Sequence, residues 1–183
     1  AARCRSHGRR PATGADPGIT LRIVDDPPVV RHGLRGMFEA APGSRVVGEA
    51  ANGVEAMTAA ATADPDVILM DLRMPGTDGI TAIREILAEA ERERRDPPRI
   101  LVLTTFDLDE YGHNALGAGA SGFLGKNTPA ARLFAAVDAI AAGDMAFTPE
   151  ITKRLVEAFH QKQETVEASP SSPPTPPAPQ RRP

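Results

Sequence analysis

The sequence predicts an α/β fold, a doubly wound sheet of five parallel strands with helices on both faces. Two observations carry that expectation. Short β-rich runs alternate with helix-spaced runs five times along the chain, the order of strand–crossover–strand units. Two of the runs, Val67-Ile68-Leu69-Met70 and Ile100-Leu101-Val102-Leu103, are continuously apolar, as strands covered on both faces are.

Ile19 to Val24 is the first strand and stops at Asp25-Asp26. Pro27-Pro28 follow, and proline is tolerated at a helix start. Val29 to Ala40 then carries Val30, Leu34, Met37 and Phe38 at helical spacing. Arg45 to Glu49 is the second strand, Asn52-Gly53 breaks the chain, and Val54 to Thr62 is an Ala-rich helix. Val67 to Asp71 is the third strand, turned by Pro75-Gly76. Thr77 or Asp78 caps a helix to about Glu91, with Ile80, Ile83, Ile86 and Leu87 on one face. Glu91 to Asp96 reads as solvated surface and Pro97-Pro98 end the segment. The fourth strand ends at Thr104-Thr105, and Asp109 to Leu116 is a short, weak helix. Ser121 to Leu124 is the fifth strand, ending near Lys126. Thr128-Pro129 start a last helix with Leu133, Phe134, Val137 and Ile140 inward and Gly143 at its end. With right-handed crossovers the expected strand order is 2-1-3-4-5, the flavodoxin-like arrangement.

Composition bounds the function. The 183 residues are 41% hydrophobic, enough for one domain with tails. The formal net charge of -3 argues against nucleic-acid affinity by the whole chain. Cys4, the single cysteine, closes no internal disulfide, which fits a cytoplasmic location. No stretch approaches the roughly 20 apolar residues of a membrane span. Residues 1–18 hold Arg3, Arg5, Arg9 and Arg10 with no apolar run after them, so they read as a disordered basic leader rather than a secretory signal. Residues 163–183 are Ser/Pro-rich and read as a disordered tail.

In a parallel sheet all carboxyl ends lie on one edge. Asp25, Asp26, Asp71, Thr104 and Lys126 therefore converge. Alone, Asp71 reads best as a helix cap; the set of strand ends favours a site. Three clustered carboxylates stay ionised cheaply only beside a cation. An all-oxygen set suits Mg²⁺, and a carboxylate beside it can attack phosphorus. Lys126 and Thr104 would then donate to phosphoryl oxygens. Thr104 and Thr105 point to opposite sides of a strand, so only one can face the site.

These motifs resemble the receiver domain of two-component response regulators. They are Val24-Asp25-Asp26, Asp71-Leu72-Arg73-Met74-Pro75-Gly76-Thr77-Asp78-Gly79, Leu103-Thr104-Thr105-Phe106 and Gly119-Ala120-Ser121-Gly122-Phe123-Leu124-Gly125-Lys126. The last two are similar to the NarL/LuxR-type subfamily. So is Ala141-Ala142-Gly143 followed by Phe147-Thr148-Pro149 and the helix Glu150 to His160, which resembles that subfamily's linker helix. The resemblance implies a receiver over residues 19–143 and a linker helix over 144–162. It implies that Asp71 is the phosphoacceptor and that Asp25 and Asp26, with the backbone carbonyl of Arg73, bind Mg²⁺. Thr104 matches the switch hydroxyl, Lys126 the phosphate-pairing lysine and Phe123 the aromatic switch residue. A sensor histidine kinase would donate the phosphoryl group, and the receiver would catalyse its own phosphorylation and dephosphorylation. Control of transcription and a homodimer on phosphorylation are further implications. DNA would be reached only through a helix-turn-helix output domain, which the motifs of this chain do not include.

Pro27-Pro28 after the acidic pair, Gly125 before the lysine and Asn127 after it depart from the family pattern. Two other functions compete. An aspartate-nucleophile phosphatase of the haloacid dehalogenase type wants a second Asp two positions after the nucleophile, where Arg73 stands. A stand-alone or degenerate receiver, acting as an interaction module, is usually betrayed by loss of an acid or the lysine, and all are retained. Gly117-Ala118-Gly119-Ala120-Ser121-Gly122 has dinucleotide-motif spacing, but it lies between a helix and a strand, the reverse of what that motif requires.

Overall fold

The computed structural model describes residues 18–60, 64–105, 110–147 and 152–153, with residues 110–113 described by their backbone alone. Six strands form one sheet: β1 (Ile19–Val24), β2 (Ser44–Ala50), β3 (Val67–Met70), β4 (Arg99–Thr104), β5 (Gly122–Gly125) and β6 (Ala146–Phe147). Their order is β2-β1-β3-β4-β5-β6, and every neighbouring pair is parallel. The helices between them are α1 (Pro28–Ala40), α2 (Gly53–Ala60), α3 (Gly79–Arg92), α4 (Glu110–Gly117) and α5 (Ala130–Ala141). The first five strands take the expected order.

The sixth strand is an addition. Ala146–Phe147 falls inside the span expected to be a linker helix, 144–162, yet it pairs with β5 as Gly122↔Ala146 and Phe123↔Phe147. Gly143, at φ 101, turns the chain back after α5, a conformation glycine adopts without cost. Gly122 then admits the new strand: a Cβ there would lie 2.6 Å from the Ala146 carbonyl oxygen. The chain divides into units of residues 1–148 and 149–183. Of the second, Thr152 and Lys153 are described and are helical. The leader, the Ser/Pro tail and most of the expected linker helix lie outside the described residues.

Side-chain alternation builds two cores. Leu21 and Ile23 of β1, Val67 and Leu69 of β3, Leu101 and Leu103 of β4 and Leu124 of β5 pack with Phe38 of α1 and with Leu133, Val137 and Ile140 of α5. The Phe38 and Phe134 rings meet edge to face, centroids 5.2 Å apart. The alternate residues Val24, Ile68, Met70, Ile100, Val102 and Phe123 are buried on the opposite face. One member of that face is out of keeping. Arg22, mid-strand in β1, is 3% exposed, and its Nε and Nη1 have no hydrogen-bond partner among the described residues.

The helix starts follow local chemistry. The Asp78 side chain accepts from the Thr81 N–H at 2.8 Å and caps α3. Asn52 accepts from the Glu55 N–H at 2.9 Å, while the Glu55 carboxylate takes the Ala51 N–H at 2.8 Å, so the chain break at Asn52-Gly53 is also the cap of α2. α1 has no side-chain cap; Pro28 occupies its first turn, where a missing N–H costs nothing.

Candidate functional site

Strands β1 and β3 are neighbours with Val24 opposite Met70. The ladder runs one step further, the Asp71 N–H donating to the Val24 carbonyl at 2.9 Å. The residues that follow the two strands, Asp25-Asp26 and Asp71, are thereby brought to one level. One carboxylate oxygen from each of Asp25, Asp26 and Asp71 lies within 4.8 Å of the others. Asp25 and Asp71 are buried and Asp26 is half-buried.

Lys126 follows β5 and is held by its own N–H, which donates to the Thr104 carbonyl at 2.7 Å. Its Nζ reaches across β4 to Asp25 Oδ2 at 2.6 Å and Asp71 Oδ2 at 2.8 Å. Thr104 ends β4 and is buried, while Thr105 is exposed; the alternation thus selects Thr104 as the inward hydroxyl. The Arg73 N–H donates to Asp71 Oδ1 at 3.4 Å. Phe123 lies further back, inside β5 opposite Val102 and 2% exposed, away from the strand ends.

The loop after Asp71 returns tightly. A Cβ at position 79 would stand 2.2 Å from the Asp71 carbonyl oxygen. Only glycine lets α3 begin there, and its N–H donates to the Leu72 carbonyl at 3.0 Å.

The electrostatics of the cluster suit a divalent cation. Burial pushes the Asp25 carboxyl above its ordinary range, Lys126 opposes this, and the charges of Asp71 and Asp26 add to it. Burial works against the Lys126 ammonium too, yet its bonds to Asp25 and Asp71 hold its pKa above the ordinary lysine value. Asp25 Oδ1 is buried with no hydrogen-bond partner among the described residues. An orphaned carboxylate oxygen in an all-oxygen cluster, with one ammonium against three acids, fits a hard divalent cation such as Mg²⁺.

One residue that the motifs do not mark braces the acids, and a second steadies its partner. Arg31 of α1 sends Nη1 to the carbonyl oxygens of both Asp25 (2.7 Å) and Asp26 (2.8 Å). Its Nε donates to Glu49 of β2 at 3.2 Å. Arg35, one turn on, holds the other Glu49 oxygen at 2.5 Å and donates to Glu39 at 2.8 Å. The signal in sequence was the i, i+4 pair of arginines on one face of α1, but their partner on β2 is set only by the sheet.

The family model for the response regulator receiver domain matches residues 21–138. The chain is 41% identical over 135 residues to the transcriptional regulatory protein YdfI of Bacillus subtilis, covering 74% of this chain and 61% of that protein. It is 34% identical to the nitrate/nitrite response regulator protein NarL of Escherichia coli K12, over 81% of this chain and 66% of NarL. Among solved structures, a LuxR-family two-component response regulator from Aurantimonas sp. SI85-9A1 aligns with a TM-score of 0.70 and 37% identity, covering 78% of this chain and 98% of that one. The receiver domain of the sensor histidine kinase PA1611 from Pseudomonas aeruginosa PAO1, solved with a magnesium ion in its active-site cleft, aligns with a TM-score of 0.60 and 32% identity, covering 68% and 98%. This chain belongs to the response regulator receiver family, and regulators of the NarL/LuxR type are among its relatives. It spans about three fifths to two thirds of the length of these two regulators.

Proposed function

We propose that this chain is a phosphoacceptor receiver, in which Asp71 takes a phosphoryl group from the phosphohistidine of a sensor kinase. The observation that carries the reading is the convergence of Asp25, Asp26 and Asp71 within 4.8 Å, with Lys126 bridging two of them. Asp25, Asp26 and Asp71, with the Arg73 carbonyl, would hold Mg²⁺, which when bound neutralises the acids and the transferring group. An Asp71 oxygen attacks phosphorus; the P–O bond forms as the P–N bond to histidine breaks, and the imidazole leaves with the electron pair and takes up a proton. The Lys126 ammonium, freed from Asp71 Oδ2, pairs with a phosphoryl oxygen. The Thr104 hydroxyl donates to another. Attack of water on the acyl phosphate returns Asp71 as a carboxylate and releases phosphate.

The names of the relatives, transcriptional regulators among them, support an output at the level of transcription. In that reading DNA is reached through an output domain, a second phosphorylated copy is the first partner, and the setting is the cytoplasm. Among the described residues no helix is long and apolar enough to cross a membrane. The layout of leader, receiver, linker helix and tail belongs to the same proposal. The rival phosphatase reading is disfavoured by Arg73, whose side chain is exposed at the position that needs a second acid.

Incubation with acetyl phosphate and Mg²⁺ is expected to add one phosphoryl group, mapped to Asp71 by mass spectrometry and absent from Asp71→Asn. A label on another residue, or labelling indifferent to Mg²⁺, would retire the reading. Retention of all residues but no binding of beryllofluoride would leave the interaction-module alternative in its place.

A further inference from the structure

We infer that Arg31 is a positioning residue for the acidic pair, setting the affinity of the site for its divalent cation; the inference rests on the reading of Asp25, Asp26 and Asp71 as metal ligands. Pro27 and Pro28 bring no N–H to the segment where β1 passes into α1, so the backbone there has two fewer donors of its own. The Arg31 guanidinium supplies them from the side: a single nitrogen, Nη1, ties the carbonyls of both Asp25 (2.7 Å) and Asp26 (2.8 Å). The guanidinium is itself pinned. Its Nε meets Glu49, whose other oxygen is taken by Arg35, so β2 and α1 both fix its place. The Arg31 side chain is 14% exposed and Glu49 is 20% exposed, so solvent competes little for these bonds. Nη1 touches no carboxylate oxygen of the acids. It acts on their backbone, fixing where each Cα stands and hence where each carboxylate can point. Partners of this kind change metal affinity because ligands left to wander must be ordered on binding.

The test uses the full chain and titrates Mg²⁺ by calorimetry, with Mg²⁺-dependent labelling by acetyl phosphate as a second readout. Arg31→Gln is expected to weaken Mg²⁺ binding by about tenfold, the lower end of what second-layer partners of metal ligands do. Arg31→Lys keeps the charge but lacks the fork that reaches Glu49 and both carbonyls at once, and is expected to recover part of the loss. Glu49→Gln, which leaves Arg31 in place, is expected to shift the midpoint in the same direction by less. Arg84→Gln, exposed on α3, is the control and should not move it. A midpoint within twofold of the parent in both Arg31 variants overturns the inference, whatever their melting temperatures. If Arg31→Gln does not fold, Arg31→Lys and Glu49→Gln decide by the same criterion. A parent chain that binds Mg²⁺ but takes no label at Asp71 removes the phosphoacceptor reading and leaves Arg31 judged by calorimetry. A parent that binds no Mg²⁺ removes both.

Discussion

Arg22 is the residue whose chemistry fits its place least. Its guanidinium is desolvated, which lowers its pKa, and two of its nitrogens lack partners among the described residues. A buried charge without a partner costs more than a well-packed apolar side chain of similar volume. Arg22→Met is therefore expected to raise unfolding stability by about 1–3 kcal/mol, read from the midpoint of a urea melt; a fall would mean the guanidinium is engaged. Glu49 is the opposite case. Its bonds to Arg35 and Arg31 hold its carboxyl below the ordinary value of 4.5. A lowered folded-state pKa means stability that is fully present above 4.5 and is lost as pH falls through the folded value. The Glu49→Gln variant should be less stable at pH 7 and should lose less on acidification below 4.5, so the two melting curves converge in acid. Parallel curves would show that these ion pairs contribute nothing net.

At the scale of elements, β4, β5 and α4 carry the expected response. Thr104 ends β4 beside Lys126, and Phe123 lies one strand over, buried between Val102 and Phe147. A phosphoryl group adds about two negative charges and three acceptor oxygens at neutral pH. If the Thr104 hydroxyl moves to meet it, space opens along β5, and Phe123 has no polar tip to resist deeper burial. Phe123 also supports β6, through its pairing with Phe147, so a change at Asp71 can pass to that strand. With beryllofluoride and Mg²⁺, amide exchange should change in β5, β6 and α4 as well as in the loop after Asp71. Thr104→Ala should confine the change to that loop. A response already confined in the parent would show that Phe123 is a core residue and no more.

For the whole molecule, three acids at one edge of the sheet are a standing repulsion. Lys126 answers part of it, and Asp25 remains pushed toward its protonated form by burial. A ligand that binds only the folded state stabilises by mass action, about 1.4 kcal/mol at ten times its dissociation constant. Mg²⁺ at that concentration is expected to raise the melting temperature measurably, and Asp26→Ala is expected to abolish the rise. A rise of the same size with Na⁺ at matched ionic strength would reduce the effect to screening.

The alternation of five strands and five helices, the order of the first five strands and the polar residues at or just after the carboxyl ends of β1, β3, β4 and β5 were legible in the sequence, because buried parallel strands are continuously apolar and their ends are polar. The sequence also selected Thr104 over Thr105 once strand alternation and family resemblance were combined. Tertiary structure alone decided three things. It brought Arg31, Arg35 and Glu49 into one network, since residues 31 and 49 sit on elements whose contact depends on how α1 lies against β2. It turned Ala146–Phe147 into a sixth strand, since that pairing depends on the bare face of Gly122. It also left Arg22 Nε and Nη1 without hydrogen-bond partners among the described residues, because burial of a mid-strand charge depends on what packs over it. Local pattern reports a residue's own preference, whereas these outcomes are set by neighbours distant in the chain.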